Sequence, residues 1–280
     1  VNPIEGVLLF ALGIGAGMYG TIVGAGGGFI IVPVLAWAPA YVSLSAEAIT
    51  GVSLVAVVCN AVSAVIAYGR QRRIDVPVAL TLGIFAIPGS ILGRVVVTRL
   101  ERPLFEALFG MVLIAIAVYL VLRKPARHRP AGTKPPPWGF VRRTYLFNGQ
   151  RETVDVNLRI GAAASFGVGL LASLFGVGGG LMMTPTMVAL MSIPAAIATA
   201  TAQLYLLMNA VVSVATDIVN GGATPLDHLG MALPLAVGVV IGAQTGAWLS
   251  RKMSGRWIVR LLAAALGLVG ARLVWAGVAG

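Results

Sequence analysis

Two long stretches of this sequence, Gly6 to Ala46 and Ile160 to Thr216, contain no charged side chain. A membrane crossing takes about 20 apolar residues, so each stretch is longer than one crossing. Across the chain 58% of residues are apolar and 10% are charged. Soluble domains carry roughly 25% charged residues, so this composition cannot build a water-facing surface. The fold class that follows is an all-α polytopic membrane protein.

Apolar runs and their breaks place five helical elements in the first half: Ile4–Val23, Phe29–Ala40, Ala48–Tyr68, Val76–Val97 and Leu104–Leu122. Five more follow: Ile160–Phe175, Leu181–Met191, Ala196–Val219, Leu229–Ser250 and Trp257–Ala276. Between them, residues 123–159 are rich in Pro and Arg and read as a connector. Within it, Tyr145 to Gln150 suits a small hairpin with an Asn-Gly turn. Residues 1–122 thus form a first membrane repeat, 123–159 a basic connector and 160–280 a second repeat. No positive leader precedes the first apolar run, so no signal peptide is expected.

The two halves resemble each other. Gly24-Ala25-Gly26-Gly27-Gly28 answers to Gly176-Val177-Gly178-Gly179-Gly180, and Pro33 answers to Pro185. Further on, Thr50 matches Thr199, Asn60 matches Asn209, and Gly89 and Gly93 match Gly238 and Gly242. An ordered series of this kind is an internal repeat. Loop charges relate the copies. Arg70, Arg72 and Arg73 mark one loop as cytoplasmic, as do Arg251, Lys252 and Arg256 another, and these are not equivalent loops. The repeats are therefore expected to be inverted, with the connector cytoplasmic and both termini outside, in the cell membrane.

The net charge of +11 does not point to nucleic acid, because much of the excess is concentrated in the connector. Anionic lipid headgroups are the expected partner of that segment. Cys59 is the lone cysteine, and His128 and His228 fall in separate loops, so neither a disulfide framework nor a metal site is expected. No cofactor is implied.

The elements after the two Gly-rich motifs are too short to span unaided, and they read as broken or re-entrant helices. Backbone that breaks at membrane depth must be buried in protein or line a cavity. A helix starting there aims its free N–H groups and the positive end of its dipole at that place. Glycine clears the approach for an oxyanion. The competing reading is close helix packing through small residues. Neither motif is a dinucleotide fingerprint or a Walker loop.

Polar side chains within the third elements are the other candidate ligands: Thr50, Ser53 and Asn60 in the first half, Thr199, Thr201, Gln203 and Asn209 in the second. The alternative for each is an interhelical hydrogen bond. Arg94 is the one cation well inside an apolar segment; it either faces the pathway or, as its place near a helix end favours, snorkels to the interface. Gln244 is a weaker candidate among small residues. No Asp or Glu falls in the middle of an expected helix, so no carboxylate proton relay is expected.

The paired segments from Gly24 to Pro33 and from Gly176 to Pro185 resemble the Gly-rich–Pro motifs of the TauE/SafE permeases, also called the sulfite exporter or toluene-sulfonate uptake family. The likeness covers nearly the whole chain, although the connector is longer and more basic than the family pattern. It implies a permease for sulfur oxyanions such as sulfite or sulfonates; the candidate binding residues remain those read from the helix starts at Gly24–Gly28 and Gly176–Gly180 and the polar residues above. A passive small-anion channel is the alternative. An intramembrane Ser protease lacks a base, since no His lies in an expected helix core, so an enzyme is not expected. The Gly238 to Gly242 face fits either a homodimer contact or internal packing.

Overall fold

The computed structural model describes every residue except 1, 39–40, 42–43, 98, 123–138, 148–149, 221–227, 254–256, 258–259, 262, 265, 269, 272–273 and 276–280. The first half contains α1 (Pro3–Val23), α2 (Gly28–Trp37), α3 (Ala46–Arg70), α4 (Val76–Val97) and α5 (Arg102–Leu122). A hairpin of β1 (Phe140–Phe147) and β2 (Gln150–Asn157) follows. The second half contains α6 (Leu158–Leu174), α7 (Gly180–Ala189), α8 (Ala195–Asn220) and α9 (Leu229–Ser250). The described residues between 257 and 275 are helical as well. Helices α1, α3, α4, α8 and α9 are each long and apolar enough to cross a membrane. Their outward faces carry large exposed apolar side chains such as Ile84, Phe85, Leu233 and Trp248. The chain is a multi-pass membrane protein.

Local chemistry explains the helix ends. Pro3 opens α1, where its missing N–H is not needed, and Glu5 Oε2 accepts the Asn2 N–H at 3.0 Å. Ser45 caps α3 by accepting the Ala48 N–H, Asp75 caps α4 through the Val78 N–H, and Asn157 caps α6 through the Ile160 N–H. Gly24 closes α1 in the left-handed region at φ 76°.

Helix packing interlocks the halves. Helix α1 packs most extensively on α9, and α4 on α6. The first helix of each half thus lies along the fourth helix of the other. Glycines allow both contacts: a side chain on Gly242 would run into Ile14 O, and one on Gly93 into Leu170 O. The Gly238 to Gly242 face is thereby filled from within the chain, by Phe10 to Met18 of α1. It is not free for a second copy.

Helices α3 and α8 form the buried centre and run antiparallel. Arg94 of α4 bridges Thr50 in the second turn of α3 and Asp217 in the last turn of α8. At the other end, Arg73 just beyond α3 bonds Ala196 O in the first turn of α8. The hairpin is longer than the short turn-centred piece expected from sequence, with eight residues in each strand. The expected Asn148-Gly149 turn and the Pro-rich part of the connector lie outside the described residues. Tyr145 of β1 donates to Asp75 Oδ2 at 2.9 Å, and Arg143 Nε stands 3.5 Å from the same oxygen. Burial, and then the charge on Asp75, push the Tyr145 phenol far above its ordinary range, so it remains a donor. Asp75→Asn is expected to weaken this docking, and proteolysis of the hairpin in membranes should speed up measurably.

Candidate functional site

The two Gly-rich motifs adopt the same backbone. Gly24, Gly26 and Gly27 have φ of 76°, 73° and 61°; Gly176, Gly178 and Gly179 have 67°, 74° and 93°. The Ala25 N–H donates to Gly20 O at 2.7 Å, and the Val177 N–H to Ala172 O at 2.9 Å, at equivalent positions. Glycine is needed at these six positions because side chains rarely tolerate this region.

Gly27 and Gly179 then cap α2 and α7. The two helix starts meet. A Cβ on Gly28 would lie 2.9 Å from Gly176 O, and one on Gly180 would strike Gly24 O. Each short helix therefore begins against the loop of the opposite motif, beside Val57 of α3 and Leu206 of α8. The positive ends of two helix dipoles converge on one buried place.

Polar side chains hold the loop carbonyls. Ser53 donates to Gly176 O at 3.0 Å and Asn209 to Gly178 O at 3.4 Å. Gln203 donates to Gly20 O at 3.4 Å, and Thr184, which sequence reasoning did not single out, donates to Gly24 O at 3.0 Å. The motif amides of Gly24, Ala25, Gly26, Gly28, Gly176 and Val177 donate to carbonyls, so the positive field at the junction comes from the two helix starts. The Asn209 carbonyl oxygen accepts from Ser90, and the Asn60 carbonyl oxygen from Thr21 at 3.3 Å. Among these neutral side chains, Asn60 Nδ2 and Gln203 Oε1 are buried without a hydrogen-bond partner. Unpaired groups of this kind are uncommon in native interiors and mark places where a ligand or water belongs.

The remaining candidates divide. Thr50 and Thr199 face the opposite loops, since side chains on Gly176 and Gly24 would meet them at 2.6–2.7 Å. Their hydroxyls donate to helix carbonyls, Thr50 to Ala46 O at 2.8 Å and Thr199 to Ala196 O at 3.3 Å. Thr201 Oγ1 accepts the Asp75 N–H at 3.0 Å and so belongs to the α4 start, away from the glycines. Gln244 donates to Ser63 O and Oγ at 2.9 and 2.8 Å, an interhelical bond.

Arg94 does not snorkel. It is buried at 1% exposure, with Nε 2.5 Å from Asp217 Oδ1 and Nη1 donating to Thr50 Oγ1 at 2.8 Å. Packing of α4 on α8 turns it inward, where a carboxylate awaits it. Asp217, near the end of the expected helix Ala196–Val219, lies in the last turn of α8 and is 3% exposed. A signal existed, because Asn209, Ser213 and Asp217 recur every four residues and share one helical face. Arg94 Nη2 and Asp217 Oδ2 are buried without hydrogen-bond partners.

The sequence matches the model of the sulfite exporter TauE/SafE family over residues 9–273. This chain belongs to the TauE/SafE family. Among its relatives, the probable membrane transporter protein YunE of Bacillus subtilis (strain 168) is 30% identical over 97% of this chain and 98% of its own length. A probable membrane transporter protein of Methanocaldococcus jannaschii is 23% identical over 94% of this chain and 93% of its own. No solved structure gives a significant match. Members of the TauE/SafE family are named as transporters, and this chain is likewise a membrane transporter of that type rather than an enzyme.

Proposed function

We propose that this TauE/SafE protein is a secondary permease for a small sulfur-containing oxyanion, sulfite or a sulfonate, held where α2 and α7 begin. The observation that carries the reading is the meeting of two glycine-capped helix starts, with loop carbonyls tied back and Asn60 Nδ2 left as an unpaired donor. A compact oxyanion suits converging amides and neutral donors, which bind charge without burying a fixed countercharge. The family model's description names sulfite export, which supplies the substrate class.

Inverted repeats support alternating access. The halves exchange partners, α1 with α9 and α6 with α4, and the equivalent helices α3 and α8 run antiparallel, as a two-fold axis in the membrane plane would require. The basic groups gather at one end. Arg72, Arg73 and the hairpin lie there, and so do Arg251 and Lys252, because Gln71 donates to Ala247 O and Tyr68 to Ser250 Oγ. That end is taken as cytoplasmic, with Lys252 over the Trp248 ring at 3.7 Å as an interfacial anchor. The Arg94–Asp217 end then faces outward, as do both termini. Anionic headgroups would meet the connector.

The substrate class is tested by competition. Uptake of labelled sulfite into proteoliposomes is measured against excess sulfonate, sulfate and acetate. Sulfite and sulfonates are expected to inhibit strongly and acetate weakly. Equal inhibition by every anion would contradict sulfur-oxyanion selectivity. Changing Asn60 to Ala removes the unpaired donor and should raise the half-saturating concentration about tenfold, the effect of 1.4 kcal/mol.

A further inference from the structure

At the end of the bundle opposite Arg94, the hairpin and the turn between α3 and α4 line an open cavity of about 640 Å³. Its wall includes Arg72 and Arg73 from the turn, Arg142 and Arg143 from β1, and the clamp residues Asp75 and Tyr145. The volume falls in the range of small-ligand sites, roughly 300–1,000 Å³. It is separate from the glycine junction and plays no part in the transport reading above.

The charges around this cavity do not balance. Arg142 is matched by Asp155, its cross-strand neighbour, at 2.9 Å. Asp75 is shared, capping α4 with one oxygen while the other accepts from Tyr145 and lies near Arg143. Among the described side chains, four guanidinium groups thus stand beside two carboxylates. Arg73 is anchored as a floor, with bonds to Ala196 O, Ser250 Oγ and Gln71 Oε1 and its guanidinium over the Tyr68 ring. Arg143 differs: its Nε is buried yet makes no hydrogen bond, since Asp75 at 3.5 Å is an ion-pair neighbour only. Arg72 adopts φ 53°, a left-handed conformation uncommon for a non-glycine residue, and its side chain is exposed at the cavity. Arginine forks pair bidentately with tetrahedral oxyanions.

We propose that this cavity is a second binding site, for a doubly charged oxyanion that joins Arg143 of the hairpin to Arg72 of the α3–α4 turn. Two negative charges neutralise the excess of guanidinium groups, and the ligand pins the hairpin against the bundle. The shared chemistry is a sulfate- or phosphate-type group. It is supplied either as a free dianion or by the headgroup of an anionic lipid.

Hydrogen exchange on the full chain tests the proposal. Amides of β1 and of the α3–α4 turn are followed with rising sulfate, at constant ionic strength set with chloride. Sulfate at ten times its half-saturating concentration is expected to slow exchange there roughly tenfold, as linkage requires where opening releases the ligand. The paired change of Arg72→Gln and Arg143→Gln should remove the effect; both side chains are at least partly exposed, and retained helical circular dichroism checks that the variant folds. In nanodiscs without sulfate, slowing with phosphatidylglycerol but not phosphatidylcholine identifies a headgroup phosphate as the occupant. Equal slowing by chloride, or slowing that survives in the paired variant, overturns the proposal. The Asn60→Ala protein should keep the sulfate effect, so failure here is distinguishable from failure of the transport reading.

Discussion

Replacing Arg94 by Ala is expected to destabilise the folded protein by about 3–5 kcal/mol, the usual cost of leaving one partner of a buried ion pair alone. Asp217 would keep a carboxylate at 3% exposure with its closest cation gone. Asp217→Ala should cost a similar amount for the converse reason. The pair together behaves differently. Arg94→Met with Asp217→Leu removes both charges and keeps apolar volume, and such replacements are often neutral or stabilising. A thermal melt in detergent should therefore show two low midpoints for the single changes and recovery for the double. Flux then separates structure from function: if Arg94 also meets the anion, the recovered double variant transports poorly. A double variant no more stable than the singles would show that the pair does not act as a unit.

Gly242 is the second position where a large effect is expected, because a single methyl there changes sign with its surroundings. In an open helix interior, Gly→Ala gains about 1 kcal/mol of helix propensity. Gly15 and Gly167 have open space beside them, so alanine at either should be neutral or mildly stabilising. At Gly242 the new methyl runs into Ile14 O and lies 2.7 Å from Met18 N, both backbone atoms of α1. Overpacking of that kind typically costs about 1–3 kcal/mol, and leucine should be worse. Gly93 against Leu170 O should behave alike in the other half. Melting midpoints of the four alanine variants check the contrast. A stabilising Gly242→Ala would mean that α1 and α9 do not approach so closely.

Close backbone contacts of the same kind limit which positions of the central site are open to substitution. Gly27 and Gly179 sit at positive φ, with Ala16 O 2.9 Å and Asn209 Nδ2 2.6 Å from where a Cβ would lie. A bulky residue at either would disturb the fold before it blocked an anion. Asn60, whose unpaired Nδ2 is a donor that does not hold the loops, is the more informative position.

Much of the architecture could be read from local pattern. Among the described residues, the gaps between apolar runs located every α-helix, because charge and Gly/Pro breaks coincide at membrane-helix ends, and the paired motifs located both short helices. What could not be read was long-range pairing. Arg94 near a helix end has two solutions, water or a buried carboxylate, and only the packing of α4 on α8 decides between them. Asp217 was passed over because it falls near the end of the expected helix Ala196–Val219, where a carboxylate ordinarily reaches water. The polar side chains were recognisable as candidates, but their roles depend on carbonyls from the opposite half, as with Ser53 on Gly176 O. The hairpin strands, Phe140–Phe147 and Gln150–Asn157, lack clean alternation, so the Asn-Gly turn alone marked them.

The most direct measurement is counterflow in sealed proteoliposomes preloaded with unlabelled sulfite, comparing the unaltered protein with Asn60→Ala. Internal sulfite is expected to accelerate uptake of labelled sulfite saturably, and the change should weaken this while the protein stays folded. Sulfite flux without acceleration would point to a passive channel. No sulfite movement under any gradient, by protein shown to be folded, would contradict the central claim.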